Sequence, residues 1–170
     1  MGWISRLLGY VTKEEREGIS LGNSPAWEVS PPREPETFVR ALHLLLPSDA
    51  VIYLEDTSNS KDIQEFLKPR QISNPLKVAL GTIWPRPQCF HIQATPNNLE
   101  GLARLFSNHS PAEICIHFHA YNQAGIILEW HDIFSDDPLY ISKAIPEQKI
   151  KSFSSSIGSS YKPRDSATYA

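Results

Sequence analysis

The stretch Ala112 to Asp132, AEICIHFHAYNQAGIILEWHD, constrains the fold more than any other, because it alternates apolar and polar residues on both sides of a turn signal at Asn122-Gln123. Successive strand side chains point to opposite sides, so this pattern predicts a β-hairpin. In its first strand Ile114, Ile116, Phe118 and Ala120 share one face, and Cys115, His117, His119 and Tyr121 share the other. In its second, Ile126, Leu128 and Trp130 oppose Ile127, Glu129 and His131. One face is apolar, and the other carries the groups capable of chemistry.

Around this hairpin the chain alternates helix and strand signals. Pro35 and Glu36 open a helix with the stripe Phe38, Leu42, Leu45 and Leu46, and Pro47 stops it. Ala50 to Glu55 reads as a strand, and Asn59 with Asp62 starts a helix bearing Ile63, Phe66 and Leu67 that ends at Pro69. Leu76 to Ile83 and Gln88 to Ala94 both alternate, and Trp84-Pro85-Arg86-Pro87 between them cannot form a ladder, so a second hairpin is expected there. Thr95 and Pro96 open a helix with Leu99, Leu102, Ala103 and Phe106 on one face. A short extended piece at Leu139 to Ile141 precedes a last helix from Pro146 to Gly158 carrying Ile150, Phe153 and Ile157.

This order predicts an α+β fold: a ferredoxin-like βαββαβ core with an added C-terminal strand and flanking helices. The expected organisation is a short helix and extended arm over residues 1–34, one domain over 35–157 and a flexible tail over 158–170. In the arm, Trp3, Ile4, Leu7 and Leu8 share one side of a short helix that docks on the domain, and Trp27 is a buried anchor. A length of 170 residues suits one core, with 41% hydrophobic and 21% charged residues.

Composition removes several function classes. A net charge of −3 with no Lys/Arg block lacks the electrostatic footprint of nucleic-acid binding. No run approaches the ~18 apolar residues of a spanning helix, and the N-terminus lacks a signal peptide, which points to the cytoplasm rather than a membrane. Two cysteines, Cys89 and Cys115, do not make a disulfide framework and are read as reduced. Glycine-rich phosphate loops, the GxSxG elbow and dinucleotide fingerprints do not occur.

The expected polar sheet face therefore collects Tyr53 and Glu55, Cys89 and His91, and Cys115, His117, His119, Tyr121, Glu129 and His131. The favoured reading is a non-enzymatic cytoplasmic protein that uses this face to bind a small ligand or a protein partner, which can be a second copy of itself in a homodimer. The alternative is a metal-dependent or cysteine-dependent enzyme, in which His117, His119 and His131 hold zinc or a similar divalent ion, since imidazoles two apart on a strand and across a ladder converge.

Overall fold

The computed structural model describes residues 11–56, 60–133 and 135–164. Seven strands form one wholly antiparallel sheet: β1 (Ala26–Val29), β2 (Val51–Asp56), β3 (Gln88–Gln93), β4 (His117–Asn122), β5 (Gly125–Trp130), β6 (Leu139–Ser142) and β7 (Tyr161–Arg164). Their order across the sheet is β3-β2-β4-β5-β6-β1-β7. The helices are α1 (Lys13–Arg16), α2 (Pro35–Leu45), α3 (Lys61–Leu67), α4 (Pro96–Asn108), α5 (Pro111–Ile114) and α6 (Glu147–Ser156).

One face of the sheet carries the principal core. Phe38 and Leu42 of α2, Leu102 and Phe106 of α4 and Phe153 of α6 pack on Leu54, Phe118, Ala120, Leu128 and Trp130. Phe38 lies at the centre, edge-on to Phe118 (5.2 Å), Trp130 (5.1 Å) and Phe153 (6.1 Å), the geometry in which ring edges meet neighbouring π-faces favourably. The helix starts follow the sequence signals. Pro35 opens α2, and Thr95 caps α4 by accepting the Asn98 N–H at 3.2 Å on Oγ1.

The mixed α+β class is as expected, but the strand order departs from the ferredoxin-like plan. Leu76 to Ile83, expected as the second strand of that plan, joins no ladder. It crosses the opposite sheet face as an extended strap tied to residue 19: the Ile19 N–H donates to the Lys77 carbonyl (2.8 Å) and the Ala79 N–H to the Ile19 carbonyl (3.0 Å). Its apolar alternation serves a second, smaller core, where Val78 and Leu80 join Leu21, Val51, Tyr53, Tyr121 and Ile126. The face expected to be open is therefore roofed by residues 19–21 and 76–82, without helices.

The chain also differs from expectation at both ends. Ala26–Val29 is a paired strand, with Trp27 across from Ile141 on one side and Pro163 on the other. Trp27 is buried, as expected, and its indole N–H donates to the Ile145 carbonyl (3.1 Å). Tyr161–Arg164, placed in the tail by composition, is the outermost strand, since two residues of alternating apolar character suffice when β1 offers an unfilled edge. The helix proposed around Trp3, Ile4, Leu7 and Leu8, residues 57–59 and the last six residues of the tail lie outside the described residues.

Candidate functional site

The organising hairpin exists, but it starts later than its alternation suggests. Ser110-Pro111-Ala112-Glu113 is a helix-start signal: the Glu113 carboxylate accepts from both the Ser110 N–H and its hydroxyl (2.8 Å each), and a helical turn, α5, uses residues 111–114. Cys115 follows as its C-cap and is buried in the principal core, so it is not a member of the polar face as expected. Burial holds its thiol well above the ordinary value, which makes it an inert core residue.

From His117 onward the alternation holds. Residues Tyr53 and Glu55 on β2 sit opposite His119 and His117 on β4, and His119 sits opposite Glu129 on β5. A bulge between Ala120 and Tyr121 on the β4 side pairs Ala120 with Leu128 but Tyr121 with Ile126. One extra residue, Ile127, reverses the parity of β5. Ile126 therefore joins Tyr121 in the smaller core while Ile127, expected beside Glu129, turns into the principal core.

Three imidazoles meet at the end of the sheet where β2 and β5 finish and β4 begins. Ring centroids are 4.7 Å apart for His119 and His131, 5.1 Å for His117 and His131, and 6.3 Å for His117 and His119, the last two rings being nearly parallel. Tyr53 stacks on the other side of His119 at 5.6 Å and contacts His91 at 4.8 Å. His91 Nδ1 pairs with the Tyr121 hydroxyl at 3.0 Å. Every expected site residue except Cys115 thus lies on this face, in a continuous polar and aromatic layer.

The strap closes that layer through Glu55, which is fully buried. Its carboxylate accepts the Tyr53 hydroxyl (3.0 Å) and the backbone N–H groups of Gly81 (2.8 Å) and Thr82 (2.9 Å). Charge-assisted bonds of this kind offset the cost of burying a carboxylate. Gly81 is required there by space: a Cβ would come within 2.6 Å of the His117 ring. Glu129 is held likewise, by the Leu21 N–H at 2.7 Å. The alternation did not reveal these clamps; the unread signal was Gly81 itself, since a glycine inside an apparent strand marks close backbone approach.

The four histidines of the layer differ in electrostatics. The Asp132 N–H donates to His117 Nδ1 (3.0 Å), which needs a lone pair there and fixes a neutral ring with its proton on Nε2. Burial lowers the His117 pKa, and burial with the neighbouring His131 and His117 lowers that of His119 well below the ordinary value. His91 is pushed down to about 4 by burial. His131 goes the other way: Glu129, with Oε2 at 3.9 Å from its Nε2, raises its pKa against burial, with Glu55 and Asp132 adding. Its side chain is 45% exposed, so it is the member of the trio presented to solvent.

The tautomer of His117 bears on the metal-centre expectation. A metal on His117 Nε2 would require the proton on Nδ1, where the Asp132 N–H already donates, and among the described residues no group of three or more His, Cys, Asp or Glu is disposed to hold an ion. Burial, with Glu55 adding, raises the Cys89 thiol pKa against the opposing effect of the Tyr53 hydroxyl at 3.4 Å from the sulfur, and so disfavours the thiolate. Among the described residues no helix is long and apolar enough to cross a membrane. Comparison with known proteins finds no matching family model, curated protein or solved structure.

Proposed function

We propose that this chain is a cytoplasmic, single-domain binding protein without catalytic chemistry, whose partner is a second copy of itself docking at the sheet end marked by His131. The observation that supports this reading is the contrast within the trio: His117 and His119 are buried and favour the neutral form, whereas His131 is half-exposed and favours the charged one. The adjacent Asp132, 61% exposed, supplies the opposite charge. A two-fold axis here lets His131 of each copy meet Asp132 of the other, a self-complementary pairing.

The raised pKa of both thiols, buried Cys115 and partly buried Cys89, and the occupied Nδ1 of His117 speak against the cysteine- and metal-dependent alternatives. Sedimentation equilibrium at high micromolar concentration tests the proposal. Association is expected at about pH 6, weaker at about pH 8 where imidazolium is lost, and weaker again in His131→Ala. A monomer under all these conditions overturns it.

A further inference from the structure

On the helical side of the sheet, α3, the 3-10 turn that follows it (Lys68–Arg70) and α4 line a cleft of about 490 Å³, within the ~300–1,000 Å³ of small-ligand sites. The cleft is built on Gly101. A Cβ there would collide with the Phe66 ring, so a glycine, although a poor helix former, stands inside α4 where the ring lies against the helix backbone. Phe66 in turn seats Arg70. The Arg70 guanidinium lies over the ring, 4.1 Å from its centroid, and donates through Nη1 to the Phe66 carbonyl (2.8 Å). With Nη1 committed to that carbonyl, the Nε–Nη2 edge is the pair of donors that remains.

The charges around the cleft do not balance. Arg104 reaches it from α4 and donates through Nε to Glu100 (3.2 Å), while Arg40 pairs with both Glu100 and Glu36. Those two guanidiniums and two carboxylates cancel. Arg70 is left over: among the described residues no ion pair joins it to a carboxylate, and Glu65, the acidic residue nearest to it in sequence, pairs with Lys61 at 3.7 Å. In a chain of net charge −3 the cleft therefore holds one surplus positive charge. Asn97 and Leu105 also line it, adding an amide and an apolar wall.

We propose that this cleft binds a small organic carboxylate, with its two oxygens on the Nε–Nη2 edge of Arg70 and its apolar body against Phe66, Gly101 and Leu105. One surplus charge matches a monoanion better than a doubly charged phosphate monoester, and the planar guanidinium edge fits the two oxygens of a carboxylate. The stack on Phe66 holds Arg70 in place beforehand, which spares part of the ordering cost that a free arginine side chain brings to binding. The site lies across the sheet from the histidine layer and does not depend on association through His131.

Titration of the isotopically labelled full chain with benzoate, followed by NMR, provides the test. Saturable shifts of the Arg70 side-chain Nε–H and of the Gly101 amide are expected, with a dissociation constant of about 1 mM or tighter. Arg70→Gln should weaken binding about tenfold, while the backbone resonances of β2 and β4 stay in place and report an intact fold. Arg70→Lys keeps the charge without the planar edge and should restore only part of the lost affinity. Benzyl alcohol, which lacks the charge, should leave both resonances unmoved. Absence of saturable shifts with benzoate overturns the proposal, and so does undiminished affinity in Arg70→Gln or Arg70→Lys. Tighter binding of phenyl phosphate than of benzoate would make this a phosphate site and overturns the carboxylate assignment.

Discussion

Gly81 and Glu55 form the joint between strap and sheet, and both are sensitive to single-atom changes. Gly81→Ala would drive a methyl into the His117 ring, which the Asp132 N–H holds in place, so urea unfolding should show a loss of about 1–3 kcal/mol. Glu55→Gln leaves an amide NH2 facing a donor N–H and should cost about 2 kcal/mol in the same assay. The histidines give a pH signature. His91, His117 and His119 have lowered pKa values in the fold, so the unfolded chain binds more protons and their contribution is lost as pH falls below about 6.5, for His91 down to about 4. His131, raised by Glu129, contributes the opposite sign: its stabilisation is present at low pH and is lost as pH rises through its folded value. Three lowered groups against one raised group predict a net fall in melting temperature from about pH 8 to about pH 5, and His91→Gln should flatten it. The membership of this layer was legible in the sequence because period-two alternation assigns faces without any tertiary information, and His117, His119, Tyr53 and Glu55 obeyed it. Cys115 was not, because a local capping box outcompeted the strand pattern one turn upstream.

At the scale of elements, helix boundaries were the most legible part of the chain, since Thr95-Pro96 and Pro35-Glu36 encode their starts in side-chain and ring chemistry local to the backbone. Thr95→Ala should accordingly destabilise α4 and the fold by about 1 kcal/mol, measurable as a shift in the urea midpoint with an unchanged slope. The strap was misread because alternation reports which side chains face a surface, and a segment lying flat across a sheet alternates just as a strand within it does. What distinguishes them is where the backbone N–H groups go, and here two of them go to a carboxylate on β2. The bulge in the organising hairpin was equally hidden: Ile126 and Ile127 are chemically alike, so nothing in their identity says which one turns inward.

At the scale of the whole molecule, β1 joins the two ends of the described chain, paired to β6 and β7. Trp27 packs edge-on against Tyr161 at 5.8 Å and lies under the Lys143 ammonium, 3.3 Å from its centroid. Such closure predicts that fluorescence and circular dichroism report a single coincident urea transition; two separated transitions would mean that the β1-β6-β7 end unfolds apart from the β2-β3-β4 end. Composition could not show this, because β1 and β7 are four residues each and become strands only through their ladders, β1 with β6 and β7, and β7 with β1. Their pairing bears on synthesis at the ribosome. Both neighbours of β1 are translated long after it, and at ~5–20 residues per second the wait is on the order of ten seconds. Throughout that interval Trp27 and Val29 are an unsatisfied apolar strand in the nascent chain, which makes β1 the segment where chaperone engagement during translation would be concentrated.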